Sequence, residues 1–92
     1  MVDFEWDPAK GRRNRRKHRV SFQEAATVFG DLFSLTYSDP DHSASEARFI
    51  TVGRSGAGRV LLVVHTDRGE NVRIISARKA TQSERKDYEE KN

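Results

Sequence analysis

Ten residues near the end of the chain, Asn71 to Ala80, constrain the fold more than any other part of the sequence. Their centre, residues 72–77, is rich in β-branched side chains and indicates a strand. Apolar residues occupy both faces of the alternating pattern, which is typical of a central strand covered on both sides. The strand also carries Arg73 and Arg78. A buried arginine needs a carboxylate or phosphate partner, because an unpaired charge is costly to remove from water.

The chain has 92 residues and no cysteine. This length predicts a single domain, residues 1–92, with a thin core, because a chain of this size buries only about 60–65% of its unfolded surface. Disulfides and thiolate metal sites are excluded. The N-terminus has no apolar signal core, and no apolar run approaches the roughly 20 residues that span a bilayer. We therefore expect a soluble, cytoplasmic protein that does not bind membranes.

Positive charge is concentrated in one segment. The formal net charge is only +3, yet Lys10 to Arg19 contains seven Lys or Arg residues and no acid. Such a segment indicates either a surface that binds a polyanion or an acidic partner, or a basic helix that is simply solvated. Charge alone does not decide between these two interpretations.

Local patterns place the remaining elements around the strand at 71–80. Asp7 followed by Pro8 marks the start of a first helix. Ser21 with Glu24 predicts a capping box before a second helix, and Thr81 with Glu84 predicts one before a third. The predicted strands are at residues 3–7, 46–52, 59–66 and 71–80, and the predicted helices are at residues 8–18, 22–29 and 82–91. This order, β-α-α-β-β-β-α, predicts an α+β fold with a small antiparallel sheet and with two N-terminal helices and one C-terminal helix on one face. Residues 32–37 also have the pattern of a short edge strand, which this order does not count.

Several common catalytic sites are absent from the sequence. The glycine-rich segment 53–58 joins two predicted strands and opens no helix, so it is not a nucleotide-binding loop. The three histidines are far apart, and there is no nucleophile elbow. Asp39, Asp41 and His42 share one loop, but Asp-Pro-Asp turns are common without metal, so no metal site is predicted.

Metal-independent cleavage of RNA is compatible with the residues present. The reaction needs a base for the ribose 2′-hydroxyl, cations for the extra negative charge of the phosphorane, and an acid for the 5′-oxygen. Arginine suits the second role because its planar fork matches phosphate oxygens. The predicted strands carry three such residues, which are Arg48, Arg73 and Arg78. The candidates for proton transfer are Lys10, His18, Glu46, His65 and Tyr88.

Two alternatives to an enzyme stay open at this point. The charged side chains could form a structural network in which Glu46 and Arg48 pair with Arg73 or Glu84. The same basic surface could belong to a non-catalytic module that binds nucleic acid or a protein partner. An enzyme needs an acid–base group close to the arginines, whereas a binding module needs a continuous basic strip and usually stacking aromatic residues.

Three motifs carry a resemblance to a known family: WDPAK at 6–10, KHRVSF at 17–22 and RIISARKAT at 73–81. With them the chain resembles, over essentially its whole length, the BrnT toxins of bacterial type II toxin–antitoxin systems. The resemblance implies a fold similar to RelE-type ribonuclease toxins and an activity that cleaves RNA and stops translation. It also implies a BrnA-like antitoxin as partner, a toxin–antitoxin heterotetramer, promoter DNA bound only through that complex, and no cofactor.

The resemblance further implies a catalytic cluster and a set of RNA contacts. The implied catalytic residues are Lys10, Glu46, Arg48, Arg73 and Arg78. The implied RNA contacts are Asn14, Lys17, His18, Arg68 and Tyr88. Arg73 and Arg78 are five positions apart, so a regular strand would place them on opposite faces. Both can serve one site only if the strand ends or has a bulge near Ser76.

Overall fold

The computed structural model describes residues 2–42 and 46–91. Within these ranges the chain forms five strands, three α-helices and two short 3₁₀ turns. The strands are β1 (Phe4–Glu5), β2 (Leu35–Ser38), β3 (Arg48–Arg54), β4 (Val60–Arg68) and β5 (Asn71–Lys79). The helices are α1 (Pro8–His18), α2 (Phe22–Thr27) and α3 (Gln82–Glu90), and the 3₁₀ turns are Val28–Gly30 and Pro40–His42. Residues 43–45 of the predicted loop at 38–45 lie outside the described residues.

The five strands form one mixed sheet in the spatial order β1-β5-β4-β3-β2. Strands β2 to β5 pair antiparallel with their neighbours, whereas β1 pairs parallel with β5. The predicted α+β class is confirmed, but two details of the prediction are wrong. The sheet is not purely antiparallel, because β1, the edge strand next to β5, runs parallel to β5. The predicted order also lacks β2, which pairs along β3 although most of its residues are exposed.

Helices cover both faces of the sheet. Helices α1 and α2 pack on one face, called here the α1/α2 face, where Leu61, Val63 and Ile74 are buried. Helix α3 packs on the other, the α3 face, against Val52 and Leu62. The prediction that all helices lie on one face is wrong, because β4 is apolar on both sides and each apolar surface must be covered. None of the helices in the described ranges is long and apolar enough to cross a membrane.

A bulge in β5 decides where its arginines lie. The register between β4 and β5 shifts between Val64 and His65, which leaves Ile75 as an extra residue in β5. An extra residue moves every side chain on one side of it to the opposite face of the strand. Arg73 and Arg78 therefore both lie on the α3 face, as a shared site requires.

Helix α1 is attached to the sheet by a buried amide. The helix has no apolar stripe, and its one buried residue is Asn14. The Asn14 side-chain amide donates to the carbonyl oxygens of Val20 (2.9 Å) and Ala77 (2.8 Å). Its oxygen accepts a hydrogen bond from the backbone N–H of Ala77 (3.1 Å). These three hydrogen bonds thus join α1 to β5 and to Val20, which lies two residues before α2.

The helices begin at the predicted capping residues, with one difference. Asp7 Oδ1 accepts a hydrogen bond from the backbone N–H of Ala9 (2.8 Å), and Ser21 Oγ accepts one from that of Glu24 (3.0 Å). The Glu24 carboxylate binds the Arg59 guanidinium, which ties α2 to the start of β4. A charge-assisted bond of this kind is stronger than the bond that the Glu24 side chain would accept from the backbone N–H of Ser21 in a capping box. The complete capping box is at the start of α3.

Candidate active site on the α3 face

A row of polar side chains crosses the α3 face, in which Thr66 is buried and the three charged residues are half-buried. Glu5 in β1 lies beside Arg73 in β5, and Arg73 lies beside Thr66 in β4. Thr66 lies beside Arg48 in β3. The row is outside the apolar cluster that α3 covers. Adjacent strands are about 4.8 Å apart, so the Cα atoms of Arg48 and Arg73 are separated by about 10 Å. Two arginine side chains at this separation can reach the same phosphate group.

Carboxylates flank this row at both ends. Glu5 Oε1 is 3.3 Å from Arg73 Nη1, and Glu5 Oε2 accepts a hydrogen bond from Asn71 Nδ2 (3.4 Å). At the other end, Glu46 Oε2 is 3.9 Å from Arg68 Nε. The side chains in both pairs are at least 31% exposed, and exposed pairs contribute little stability. A phosphate can therefore replace either carboxylate as the partner of its arginine.

Arg78 differs from Arg73 because both of its terminal nitrogens are engaged by α3. Its Nη1 and Nη2 donate to the two oxygens of Glu84 at 2.8 and 2.9 Å. These bonds, together with the backbone bond from Thr81, lower the Glu84 pKa from 4.5 to about 2 despite partial burial. The structural alternative of a salt-bridge network is thus realised here, but Glu84 pairs with Arg78 and not with Arg48. Arg78 fastens α3 to β5.

His65 lies on the α1/α2 face and is part of the core. Its Nε2 is 2.7 Å from Thr51 Oγ1, and its ring lies between Phe29 and Phe49, with centroid distances of 4.8 and 5.9 Å. Its Nδ1 is buried and has no hydrogen-bond partner within the described residues. Burial lowers the His65 pKa, with a smaller opposing effect of Asp67. We therefore do not retain His65 as a group for proton transfer.

The burial of His65 predicts a pH-dependent stability. Because the folded state lowers its pKa below 6.5, neutral His65 contributes stability that is fully present above pH 6.5. That contribution is lost as the pH falls through the unfolded value towards the folded one. We expect the melting temperature of the wild type to fall more between pH 7.5 and 5.5 than that of His65→Gln, which does not titrate. Equal falls in both proteins would contradict this role, since all other titrating groups are shared.

The remaining predicted residues lie away from the row. Lys10, Lys17 and His18 are on α1, in the layer that covers the α1/α2 face. Asn14 is 7% exposed, and its hydrogen bonds hold α1 in place, so we omit it from the proposed RNA contacts. Tyr88 belongs to α3, is 5% exposed and packs in the apolar cluster between α3 and the sheet. Burial and then its hydrogen bond to Asp31 raise the Tyr88 pKa, so it is also omitted.

The described residues offer no obvious metal site. No group of three His, Cys, Asp or Glu side chains converges anywhere in residues 2–42 and 46–91. Of the three residues considered at sequence level in the loop after β2, the His42 side chain lies outside what the structure describes.

Comparison with known proteins identifies the family. The family model described as "Ribonuclease toxin, BrnT, of type II toxin-antitoxin system" matches residues 6–84. The chain belongs to the BrnT family. Its fold is also that of the ribonuclease toxin BrnT from Brucella abortus, known from a 1.1 Å crystal structure. The two share 21% sequence identity over 89% of this chain and 100% of the other, with a TM-score of 0.70. No curated protein matches the sequence.

Membership of the BrnT family makes this chain a ribonuclease toxin of a type II system, which implies an antitoxin partner. The structure adds three residues to those that sequence reasoning placed near the arginines, namely Glu5, Thr66 and Asn71. For Glu5 a signal exists, since the acids of residues 3–7 alternate with Phe4 and Trp6 and so face away from the core. The parallel pairing of β1 with β5, which places Glu5 beside Arg73, has no local signal.

Proposed function

We propose that this BrnT-family toxin is a metal-independent endoribonuclease whose active site is the row from Glu5 to Arg48 on the α3 face. The observation that carries the proposal is the register, which aligns Glu5, Arg73 and Arg48 in one row. Glu46 lies near the other end, beside Arg68. Arg68 lies at the Glu46 end as a further RNA contact. Arg78 supports the site by holding α3 on the sheet and is not assigned a direct role in the reaction.

The reaction needs a charge clamp and two proton transfers. Arg48 and Arg73 bind the non-bridging phosphate oxygens and stabilise the extra negative charge of the pentavalent intermediate. A flanking carboxylate, Glu5 or Glu46, accepts the proton of the 2′-hydroxyl as its oxygen bonds to phosphorus. The bond from phosphorus to the 5′-oxygen breaks, and that oxygen takes up a proton from the second flanking group or from water. The products are a 2′,3′-cyclic phosphate and a 5′-hydroxyl.

The biological part of the proposal follows the family. RNA cleavage on a RelE-like scaffold would inhibit translation in the cytoplasm, and a BrnA-like antitoxin would neutralise the toxin in a heterotetramer that binds promoter DNA. An exposed apolar turn supports a protein partner. Leu32 is 95% exposed and Phe33 60% exposed, while Asp31 holds the turn by accepting the backbone N–H groups of Phe33 and Arg54. Adjacent exposed apolar side chains on a fixed turn are typical of protein contacts.

The test is RNA cleavage by the purified protein in EDTA. We expect the wild type to cut RNA and to leave 2′,3′-cyclic phosphate ends, because arginines supply the positive charge. Cleavage that requires an added divalent ion would contradict the metal-independent mechanism. If no cleavage occurs, the assay is repeated with translating ribosomes. Silence in both assays, with salt-sensitive RNA binding retained, would favour a non-catalytic binding module.

A further inference from the structure

The outer surface of α1 carries a stripe of arginines that the proposed active site does not use. The stripe consists of Arg12, Arg15, Arg16 and Arg19, which follow the i, i+3, i+4, i+7 spacing of one helix face and end at the helix C-cap. All four residues are exposed and line one shallow groove. At a rise of 1.5 Å per residue, the stripe extends over about 10 Å.

The stripe faces away from the sheet because the opposite side of α1 is fixed. Asn14 binds the backbone of Ala77 at the edge of β5 beyond its pairing with β1, and the stripe residues lie about half a turn from Asn14 around the helix axis. The stripe therefore faces outward from the β5 edge, whereas the row from Glu5 to Arg48 crosses the α3 face. The start of α1 lies near one end of the row, because Glu5 in β1 and Pro8 at the start of α1 are only three residues apart.

The charge of the stripe is not neutralised within the described residues. The ion pairs found there involve Glu5, Glu24, Glu46, Glu84 and other acids, but none involves a stripe arginine. The stripe also contains no apolar or aromatic residue. A protein interface normally has an apolar centre, and sequence-specific single-strand binding normally uses stacking aromatics. Guanidinium groups alone match a phosphate backbone of any sequence.

From this geometry we infer that the α1 stripe is a second, non-catalytic binding site for the phosphate backbone of single-stranded RNA. The inference rests on the proposed ribonuclease function and adds a docking step to it. RNA held on the stripe can continue around the β1 edge to the row on the α3 face. The stripe then raises the local concentration of long RNA at the active site, and a short RNA that occupies only the row gains nothing from it.

The experiment compares the wild type with the triple variant Arg12→Gln, Arg15→Gln, Arg16→Gln, which leaves the left-handed C-cap at Arg19 unchanged. The probe is a long 2′-O-methylated RNA, whose blocked hydroxyl cannot attack the phosphate. Each phosphate contact to a single strand contributes about 0.7 to the slope of log affinity against log salt. We expect the variant to bind at least tenfold more weakly and its slope to fall by about 2.

Two controls separate a local site from general charge. The variant Arg12→Lys, Arg15→Lys, Arg16→Lys keeps the charge, so its salt slope should stay close to that of the wild type. The variant Arg85→Gln, Lys86→Gln, Lys91→Gln removes the same charge from exposed positions at α3. An equal loss of binding in this second control would overturn the inference, because net charge alone would then explain it. Displacement of the RNA by poly-glutamate at equal charge concentration would overturn it as well, in favour of an acidic protein partner.

Cleavage kinetics distinguish failure of this inference from failure of the proposed function. On long RNA, the stripe variant should show a raised KM with an unchanged kcat, and on a short RNA neither should change. Normal KM on long RNA would overturn the docking site while leaving the ribonuclease intact. If neither the wild type nor any variant cleaves RNA, the proposed ribonuclease function is wrong. The binding experiment alone then decides whether the stripe binds RNA.

Discussion

Replacing Arg73 with alanine should reduce RNA cleavage by about 10²–10³-fold in kcat, which is the usual cost of removing one group that stabilises a developing oxyanion. Arg73 lies in the row between Glu5 and Thr66, where its guanidinium has one carboxylate contact at 3.3 Å. The loss should appear in kcat more than in KM, because the charge is needed most in the phosphorane. The measurement is single-turnover cleavage of a short RNA in EDTA.

Two variants make this prediction specific. Arg73→Lys keeps the charge but loses the fork, so it should recover only part of the rate. Arg85→Ala removes an arginine that pairs with Glu89 on the exposed surface of α3, and it should cleave at the wild-type rate. The melting temperature of Arg73→Ala should stay near that of the wild type, because its pair with Glu5 is partly exposed. Cleavage by Arg73→Ala at the wild-type rate would remove Arg73 from the mechanism.

Replacing Asn14 with alanine should destabilise the fold by about 3 kcal/mol. The change deletes three buried hydrogen bonds and leaves the backbone groups of Val20 and Ala77 without partners, at roughly 1 kcal/mol for each bond or more where a group stays buried. A domain of this size has a total stability of only about 5–14 kcal/mol. The melting temperature should therefore fall by on the order of 15 °C.

The matched control for Asn14→Ala is Lys17→Ala, an exposed position on the same helix. This control changes helix charge without touching a buried bond, so its effect should stay within about 0.5 kcal/mol. Urea unfolding followed by tryptophan fluorescence measures both, since Trp6 packs against Phe22 beside α1. A loss below about 1 kcal/mol for Asn14→Ala would mean that α1 is held by other contacts.

Local sequence patterns predict the positions of the helices and strands better than they predict which of these elements pack or pair together. The start of α1 at Pro8, the strand from Asn71 and the capping box at Thr81 follow from short-range chemistry that the sequence displays. The parallel pairing of β1 with β5 does not, because a two-residue strand carries no information about its neighbour's direction. The placement of α3 on the opposite face from α1 could have been inferred from the apolar residues on both sides of β4.

The candidate site was predictable in composition but not in arrangement. Arg48 and Arg73 are prominent because charges within apolar strands need partners. Asn14, by contrast, is an RNA contact only by the family resemblance, and the tertiary structure shows that its side-chain amide is fully engaged by backbone groups. Glu5 is not among the predicted site residues, because Arg73, which it contacts, is 68 positions away in the sequence.

The extra residue in β5 has a consequence for how related sequences should be aligned. Because Ile75 shifts the alternation, the number of residues between Arg73 and Arg78 matters as much as their identity. Deleting Ile75 would restore a regular strand in which Arg73 and Arg78, then four positions apart in sequence, still share the α3 face. A one-residue gap within this segment is therefore compatible with the same active site on an unbulged strand, whereas the five-residue spacing of this chain keeps both arginines on one face only with the bulge.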